Sequence, residues 1–445
     1  MQAPVVGKLP PVFSSRLGSL GNILALSGDP TDFFLAGYKA HGPVFTLPLG
    51  FKKAAVLMGP EAHRVFFTQT DETLSINEAY KFLLAMFGEV GVTAPPATYN
   101  RQRPVMQAVF KASKMPVYVQ AMETEVQRWL DSLGDTGQFE LVREFTGLVQ
   151  RIAGAAILGP TFNEQVGDRF WALYSDLARG VDLVLPPNLP LPKFRRRDKA
   201  KQELEAILRP MIAERRRNPQ DHDDFLQELV SAPDVEGKVL EEDAIVRMII
   251  AMLFAGHETT VGQSAWALIE LLRHPEYARH VHAEMQEHLR PGEALTVERL
   301  RALNHLGWAL KETERMHPSV HLLMRVVKED TQVGDYRIPA GWMAMVSPAA
   351  AHRTELFPEG HRFLPLRFAP GGSNEQVDRF GMIGFGGGRH KCAGMNFANH
   401  EMTLIIALLL RRFELELVTL QPVKDFSNGA PRPSPTQINY TRRQR

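Results

Sequence analysis

The longest helical pattern in the chain covers residues 241–273, where apolar positions continue without a proline. A helix of this length would span about 50 Å at 1.5 Å per residue, so we expect it to cross the whole molecule. A second pattern follows Cys392 and predicts a helix that is buried on one side. Its apolar positions are Met395, Phe397, Met402, Ile405, Ile406, Leu409 and Leu410.

Shorter patterns occupy much of the remaining chain. Residues 44–47 and 54–57 are apolar runs on either side of Gly50 and predict a β-hairpin. Residues 100–127 and 141–158 have helical patterning, and we expect them to form framework helices. A small sheet and several helices are therefore expected before the long helix begins.

The composition is that of an ordinary soluble globular protein, with 44% hydrophobic and 23% charged residues. The 51 basic and 50 acidic residues give a net charge of +1, so nothing global suggests a nucleic acid or an anionic membrane as partner. A charged partner must therefore be met by a local patch. The single cysteine excludes an internal disulfide and a multi-cysteine metal site, which fits a reducing cytoplasm.

No flexible linker, low-complexity tract or internal repeat divides the 445 residues, so we expect a single domain over residues 1–445. Residues 1–20 contain neither the apolar core of a signal peptide nor about 18 consecutive apolar residues. We therefore expect a short irregular lead and no transmembrane anchor.

Candidate chemistry centres on residues 385–394, where the only cysteine lies between a glycine-rich turn and the second long helix. A helix N-terminus favours the thiolate form of a cysteine. A dinucleotide-binding loop is disfavoured, because the residues before this turn are polar and Arg389 replaces the third glycine. From these residues alone, a buried structural cysteine and a thiolate ligand to haem iron both stay open.

Two other stretches stand out. Residues 255–260 read Ala-Gly-His-Glu-Thr-Thr, although a glycine costs about 1 kcal/mol inside a helix. Such a local break of the packing rules indicates function. Glu312 and Arg315 share one helix face and can pair, which taken alone describes an unremarkable exposed ion pair.

Together these stretches resemble the cytochromes P-450. Phe385, Gly388, Cys392 and Gly394 match the signature F-x-x-G-x-R-x-C-x-G. His390 stands where most of that superfamily has arginine, and the sterol 14α-demethylase group also resembles this chain in having histidine there. The 255–260 stretch is similar to the distal-helix motif A-G-x-[DE]-T-[ST], and residues 312–315 to the motif E-x-x-R.

The resemblance implies a mainly α-helical fold with a smaller β region, the cytochrome P-450 fold. Haem b would lie between the helix of residues 241–273 and the one starting at Cys392. Cys392 would be the iron ligand, and the remaining implied cofactor-binding residues are His390, Arg325, Arg103, Arg101, Phe385, Gly386, Ala255, Gly256 and Gly394. For Arg101 and Arg103, a solvated surface pair is an equal alternative to binding a haem propionate.

The same resemblance assigns the other roles. Thr259 and Glu258 would deliver protons to iron-bound dioxygen. Glu312, Arg315 and Arg367 would form a buried structural network.

Residues 78–92 hold many aromatic and flexible apolar side chains around Gly88, and by periodicity they form a core helix. By resemblance, residues 80–92 form the substrate roof of sterol 14α-demethylases. The implied substrate-binding residues are Tyr80, Phe82, Met86, Phe87, Ala255, Leu322, Leu323 and Met324.

The resemblance therefore implies a monooxygenase acting on a sterol- or triterpenoid-like molecule, with sterol 14α-demethylation as the narrower form. Glu258 departs from that group, which typically has histidine before the relay threonine. Alternatives are a hydroxylase of another lipophilic molecule or fatty acid, a haem-thiolate peroxygenase or isomerase, and a non-catalytic haem protein that binds ligands.

The chain has no flavin, nicotinamide or iron–sulfur motif of its own. Electrons are therefore expected from NAD(P)H through a ferredoxin-type partner and its reductase. The expected docking patch combines Arg101, Arg103, Lys111, Lys114 and Lys391. We expect a cytoplasmic monomer.

Overall fold

The computed structural model describes residues 7–182, 185–290, 293–427 and 429–444. Most of these residues are helical. The helices are α1 (Gly18–Ser27), α2 (Thr31–His41), α3 (Pro60–Thr68), α4 (Ile76–Ala79), α5 (Leu84–Phe87), α6 (Pro96–Val109), α7 (Met115–Ser132), α8 (Leu141–Ala153), α9 (Asp168–Ala178), α10 (Pro192–Arg217), α11 (Phe225–Ser231), α12 (Glu242–Arg273), α13 (Pro275–His288), α14 (Val297–Ala302), α15 (Asn304–Met316), α16 (Pro348–Ala351) and α17 (Met395–Arg412).

The strands are short. They are β1 (Val44–Leu49), β2 (Lys52–Leu57), β3 (Leu74–Ser75), β4 (Thr136–Glu140), β5 (Leu323–Val327), β6 (Thr331–Val333), β7 (Tyr336–Ile338), β8 (Met343–Val346), β9 (Phe413–Leu417), β10 (Lys424–Asp425), β11 (Arg432–Pro433) and β12 (Gln437–Arg442).

The chain folds into two compact units. The first unit consists of Met1–Lys81 and Lys311–Cys392, and the second of Phe82–Leu310 and Ala393–Arg445. The expectation of one domain over the whole chain stays a prediction.

The first unit is built on a five-stranded sheet in the order β1-β2-β8-β5-β3. The predicted hairpin is confirmed, since β1 pairs antiparallel with β2, while β2 pairs parallel with β8. Successive side chains of a strand point to opposite faces, so neighbouring residues enter different cores. Phe66 and Phe67 of α3 pack on one face, and Phe34 of α2 packs on the other.

The second unit is organised around α12, which packs against α8 and α17. The predicted long helix is confirmed, and it ends at Arg273 shortly before Pro275. Among the described residues, α12 is the one helix long and apolar enough to cross a membrane. Its many buried side chains instead make it the core helix of this unit. A three-stranded sheet, β4-β12-β9, completes the second unit.

One expectation about element boundaries is wrong. Residues 78–92 form short turns and the four-residue helix α5 instead of one core helix. The helical geometry ends at Tyr80 and again at Gly88, and Gly88 has a φ of +65°. The helical pattern over residues 100–127 is divided between α6, which begins at Pro96 and contains Arg101 and Arg103, and α7, which begins at Met115. Helix α1 begins at Gly18, near the end of the expected irregular lead, and residues 1–6 of the lead lie outside the described part of the chain.

Candidate active site

The cysteine loop is shaped by its glycines and by contact with α3. Gly386 and Gly388 have φ values of +71° and +62°, which residues with a Cβ rarely adopt. A Cβ on Gly388 would lie 2.5 Å from the carbonyl oxygen of Phe67, and one on Gly387 would lie 2.8 Å from the Phe67 ring. The turn can therefore pass over Phe67 only as glycine.

Cys392 leaves this turn with its side chain exposed. Its backbone N–H donates to the carbonyl oxygen of Phe385 at 2.9 Å, which closes the loop. Helix α17 starts three positions later at Met395, with Gly394 as its N-cap residue. The backbone thus fixes the position of the thiol and leaves its sulfur accessible.

Thr70 and Asp71 connect two of the predicted cofactor-binding residues in the first unit. The Nε of Arg325 donates to the Thr70 hydroxyl at 2.9 Å, and Nε2 of His390 lies 2.7 Å from Oδ2 of Asp71. Asp71 has a φ of +75°. Positive φ is uncommon for residues other than glycine, although aspartate adopts it more often than most of them. Sequence reasoning missed Thr70 and Asp71, because neither belongs to a motif.

Burial changes the titration of this cluster. It lowers the pKa of Arg325 to about 10 and raises the pKa of the neighbouring Tyr80 phenol. Burial also lowers the pKa of His390, while the hydrogen bond to Asp71 acts in the opposite direction.

Arg325 provides a test of whether this cluster fits a haem. Its side chain is 2% exposed and lies 4.6 Å from the Phe66 ring. Among the described residues, none provides a carboxylate in an ion pair with Arg325. Asp71 acts on Arg325 electrostatically without forming an ion pair with it. A buried cation without an ion-pair partner is costly, so an anionic group such as a haem propionate suits this position.

Glu312, Arg315 and Arg367 form a buried network. The guanidinium of Arg315 makes two hydrogen bonds to the Glu312 carboxylate, at 2.8 and 2.9 Å, and Nε of Arg367 reaches it at 3.2 Å. The Glu312 and Arg315 side chains are fully buried. Arg315 also donates to the carbonyl oxygens of His352, Gly360 and Arg362. The network therefore joins α15 to the irregular segment that leads toward the cysteine loop.

Glu314 is a further supporting residue that sequence reasoning did not single out. It accepts hydrogen bonds from the N–H groups of Gly384 and Phe385, at the start of the cysteine loop, and burial raises its pKa to about 7. A Cβ on Gly384 would lie 2.4 Å from its carboxylate oxygen. Its neighbours Glu312 and Arg315 match a motif, whereas Glu314 gave no signal of its own.

The middle of α12 exposes small residues inside an otherwise buried helix. Ala255 and Gly256 are exposed, and a Cβ on Gly256 would meet nothing within 4 Å. The Thr259 hydroxyl donates to the carbonyl oxygen of Ala255 at 2.7 Å. Open space and a hydroxyl therefore occur together on one turn of the helix.

Glu258 is held by a residue from the C-terminal part of the chain. Its Oε2 lies 3.3 Å from NH1 of Arg432, and Nε of Arg432 lies 3.5 Å from Asp425. The carboxylate is therefore connected through Arg432 to the β10–β11 hairpin. Sequence reasoning identified Glu258 but could not find Arg432, which is far away in the chain and matches no motif.

His257 precedes this acid and is almost completely buried. Its ring lies 6.0 Å from that of Trp171 and 5.7 Å from that of Tyr174. Burial lowers its pKa, so we regard it as a neutral packing residue.

The predicted substrate-binding residues are divided between the two units. In the second unit, the ring of Phe87 lies 4.9 Å from that of Phe254, the residue just before Ala255, and Met86 is buried beside it in sequence. Phe82 is half-buried. In the first unit, Tyr80, Leu322, Leu323 and Met324 are all partly buried.

The expected basic docking patch is largely neutralised in the second unit. Arg101 pairs with Asp234 at 3.1 Å, and Lys111 and Lys114 both pair with Glu228. Arg103 is half-buried and has no ion pair within the described ranges. The charge of Arg101 is thus compensated by Asp234, whereas Arg103 has no such ion pair among the described residues.

The chain is similar over most of its length to several known proteins. A family model described as Cytochrome P450 matches residues 10–439. A sterol 14α-demethylase of Mycolicibacterium vanbaalenii is 32% identical over 96% of each chain. A lanosterol 14-alpha demethylase of Homo sapiens is 30% identical over 100% of this chain and 88% of its own length. The solved structure of a retinoic acid-bound cyanobacterial CYP120A1 superposes with a TM-score of 0.85 at 24% identity, covering 98% of this chain and 100% of that one.

Proposed function

We propose that the substrate of this chain is a sterol or a similarly shaped triterpenoid. The chain belongs to the cytochrome P-450 family, has its fold and is a haem monooxygenase. The observation that carries the proposal is the contact between the rings of Phe87 and Phe254, next in sequence to the exposed Ala255 and Gly256. Apolar area buried by a rigid polycyclic ligand contributes about 25 cal/mol per Å². The curated relatives named as sterol demethylases support this substrate class.

We propose that Cys392 holds the haem iron and that Arg325, His390 and Arg103 meet the haem propionates. Arg325 fits because it is a buried cation without a carboxylate partner. His390 is oriented for this task by Asp71. When bound, the haem supplies the reductive activation of dioxygen, for which a thiolate ligand is suited.

Two residues of α12, Thr259 and Glu258, then transfer protons. The Thr259 hydroxyl donates to the Ala255 carbonyl oxygen at 2.7 Å, and by turning away from it the hydroxyl could donate instead to a molecule bound in the space that Ala255 and Gly256 leave open. Glu258 can replace that proton as a general acid, and Arg432 fixes its carboxylate at 3.3 Å.

Electrons come, in this proposal, from NAD(P)H through a ferredoxin-type protein and its reductase. Arg101, Lys111 and Lys114 are engaged by acidic residues. The exposed Lys391, next to Cys392, is therefore the docking cation that we propose. Lys391→Glu should raise the ferredoxin concentration needed for half-maximal turnover, and equal requirements in both proteins would remove Lys391 from the docking surface.

The substrate proposal is tested by optical titration of the haem-loaded protein with lanosterol-type sterols, with a long-chain fatty acid as the alternative ligand. A sterol-specific shift of the haem absorption band is expected, because the ligand displaces water from the iron. A shift with the fatty acid alone would overturn the sterol class.

Product analysis with a ferredoxin system then separates the possible reactions. Loss of the 14α-methyl group would establish demethylation, whereas a hydroxylated sterol would fit the acid at Glu258 and exclude the narrower activity. Turnover with peroxide but with no ferredoxin would favour a peroxygenase instead.

A further inference from the structure

The turn at Gly88 brings the segment predicted to form the substrate roof against a cation of α12. Gly88 ends α5 with a φ of +65°. A Cβ at this position would lie 2.6 Å from Cδ of Arg247 and 3.6 Å from its Nε. Arg247 therefore lies directly against the turn, and only a glycine leaves room for it there.

Arg247 lies on the side of α12 that contacts the roof segment. Residues seven positions apart share one face of a helix, so Arg247 and Phe254 lie on the same face. The Phe254 ring contacts that of Phe87, the residue before Gly88. Ala255, where the open space begins, follows Arg247 by eight residues, or about 12 Å along the helix axis. A ligand of about this length would reach from the open space to the guanidinium.

Lys201 of α10 brings a second cation to the same turn. Its ammonium donates to the carbonyl oxygen of Ala85 at 3.2 Å, three residues before Gly88. Burial lowers the pKa of Lys201, and the positive charge of Arg247 acts in the same direction. Two cations from different helices therefore lie near each other beside α5, and both side chains are half-buried.

These two cations have no carboxylate partner of their own. Neither forms an ion pair with a described residue. Glu205 acts on Lys201 and Asp243 on Arg247 only electrostatically, and both carboxylates form ion pairs with Arg209, at 3.7 and 2.7 Å. The positive charge beside the roof segment is therefore not neutralised by a direct contact.

Other arginines of the second unit show what a structural role looks like in this chain. Arg197 donates to the carbonyl oxygen of Pro187 at 2.9 Å, and Arg216 donates to that of Leu240 at 2.7 Å. Nε of Arg247 is buried, and within the described ranges it has no hydrogen-bond acceptor. A buried donor without an acceptor is destabilising, so Arg247 differs from these arginines in a way that packing does not explain.

We propose that Lys201 and Arg247 form an anion site that selects substrates with a carboxylate at the end remote from the reacting carbon. The inference rests on the proposed function, because the apolar body of the ligand is taken to be the sterol- or triterpenoid-like skeleton. Arginine binds a carboxylate through two parallel N–H donors, whereas lysine acts as a point charge. The substrate class thus narrows to acidic polycyclic molecules, such as triterpenoid acids.

A neutral sterol meets the same residues less well. Its skeleton can still occupy the apolar space beside Phe87 and Phe254, but it leaves both cations without a counter-charge. We therefore expect neutral sterols to bind and acidic ones to bind more tightly.

The test compares lithocholic acid, a steroid with a carboxylate at the end of its side chain, with its methyl ester, which has the same skeleton and no charge. Dissociation constants are measured by isothermal titration calorimetry on the haem-loaded, full-length protein. The wild-type chain should bind the acid about ten-fold more tightly than the ester or better, because hydrogen bonds to a charged group are stronger than those to a neutral one.

Arg247→Gln should weaken binding of the acid by about ten-fold or more. Binding of the ester should not change, which also shows that the variant is folded. Arg247→Lys keeps the charge but loses the paired donors, so it should recover part of the affinity for the acid. Lys201→Gln should weaken binding of the acid by about three-fold, because a half-buried point charge contributes less.

Lys199→Gln is the matched control. It makes the same change of charge in α10, but Lys199 is exposed and pairs with Glu203 at 3.9 Å. This variant should bind both ligands like the wild type. Equal affinities of the wild type for acid and ester, or equal weakening of both ligands by Arg247→Gln, would overturn the anion site.

Palmitic acid and lanosterol separate this inference from the proposed function. If palmitic acid binds in a way that depends on Arg247 while lanosterol and both steroids do not bind, the anion site stands and the sterol class fails. If lanosterol binds and the acid gains nothing over its ester, the sterol class stands and the anion site fails.

Discussion

The cysteine-loop region of the first unit and the middle of α12 in the second unit are built in opposite ways. Around the cysteine loop, buried polar and charged side chains have fixed partners: Arg325 bonds to Thr70, His390 to Asp71, and Arg315 to Glu312. In the middle of α12, by contrast, Ala255 and Gly256 leave open space. We infer that the first region holds a large rigid cofactor and that the second admits small molecules and moves protons.

The largest expected effect concerns Cys392. Cys392→Ser should abolish the absorption band that a thiolate-bound haem gives in its reduced carbon monoxide complex, since the chain has no other cysteine. Ala393→Ser, one position later and also exposed, adds the same hydroxyl and should keep the band. A thiolate band in the Cys392→Ser protein would show that this loop does not supply the iron ligand.

The next effect concerns the buried network. Glu312→Ala leaves the buried guanidinium groups of Arg315 and Arg367 without their carboxylate, so the free energy of unfolding should fall by about 3–5 kcal/mol. Urea denaturation measures this loss. Arg362→Gln breaks an exposed pair with Glu359 and should cost at most about 1 kcal/mol. Equal losses in the two variants would mean that the network is not buried in solution.

A smaller effect separates Glu258 from the arginine that holds it. Glu258→Gln removes the proposed proton donor and should lower the turnover rate by about 10²-fold. Arg432→Gln keeps Glu258 but removes the arginine that holds its carboxylate. This change should lower the turnover rate by less, about ten-fold. Rates are compared per bound haem, with Arg442→Gln as control because its pair with Asp135 is remote in sequence from Glu258. A larger loss for Arg432→Gln than for Glu258→Gln would contradict this order.

A pH dependence of stability is also expected from a buried histidine in the first unit. Nε2 of His352 accepts the N–H of Ile383 at 2.9 Å, so this nitrogen carries no proton, and burial lowers the pKa of His352 to about 3. Below about pH 6.5 the unfolded chain binds a proton that the folded chain excludes. Stability should therefore fall as the pH decreases from about 6.5 toward 3, by up to about 1.4 kcal/mol per pH unit for this group.

His352→Gln removes this titration and should make the free energy of unfolding less dependent on pH. His361→Gln is the control, because His361 is exposed. An unchanged slope in the His352→Gln protein would show that folding does not lower the pKa of His352.

Sequence reasoning found residues that belong to short motifs and missed residues that act through the tertiary fold. Cys392, Glu258 and the Glu312–Arg315 pair were visible because their spacing is local. Asp71 and Arg432 were not visible, because their partners are distant in the chain. Asp71 lies 319 positions from His390, and Arg432 lies 174 positions from Glu258. The long helix was predicted well because its pattern is continuous, whereas residues 78–92 were mistaken for one helix because apolar content hid the breaks at Tyr80 and Gly88.

The central claim is that the cysteine-loop region binds the haem and that α12 transfers protons. Its most direct test measures two quantities in two variants. Haem bound per chain and product formed per dioxygen consumed are determined for His390→Ala and Thr259→Ala, with a redox partner present. We predict that His390→Ala loses haem, whereas Thr259→Ala keeps a full complement of haem and consumes dioxygen with little product. Loss of haem from Thr259→Ala, or its unchanged yield of product per dioxygen, would contradict the account.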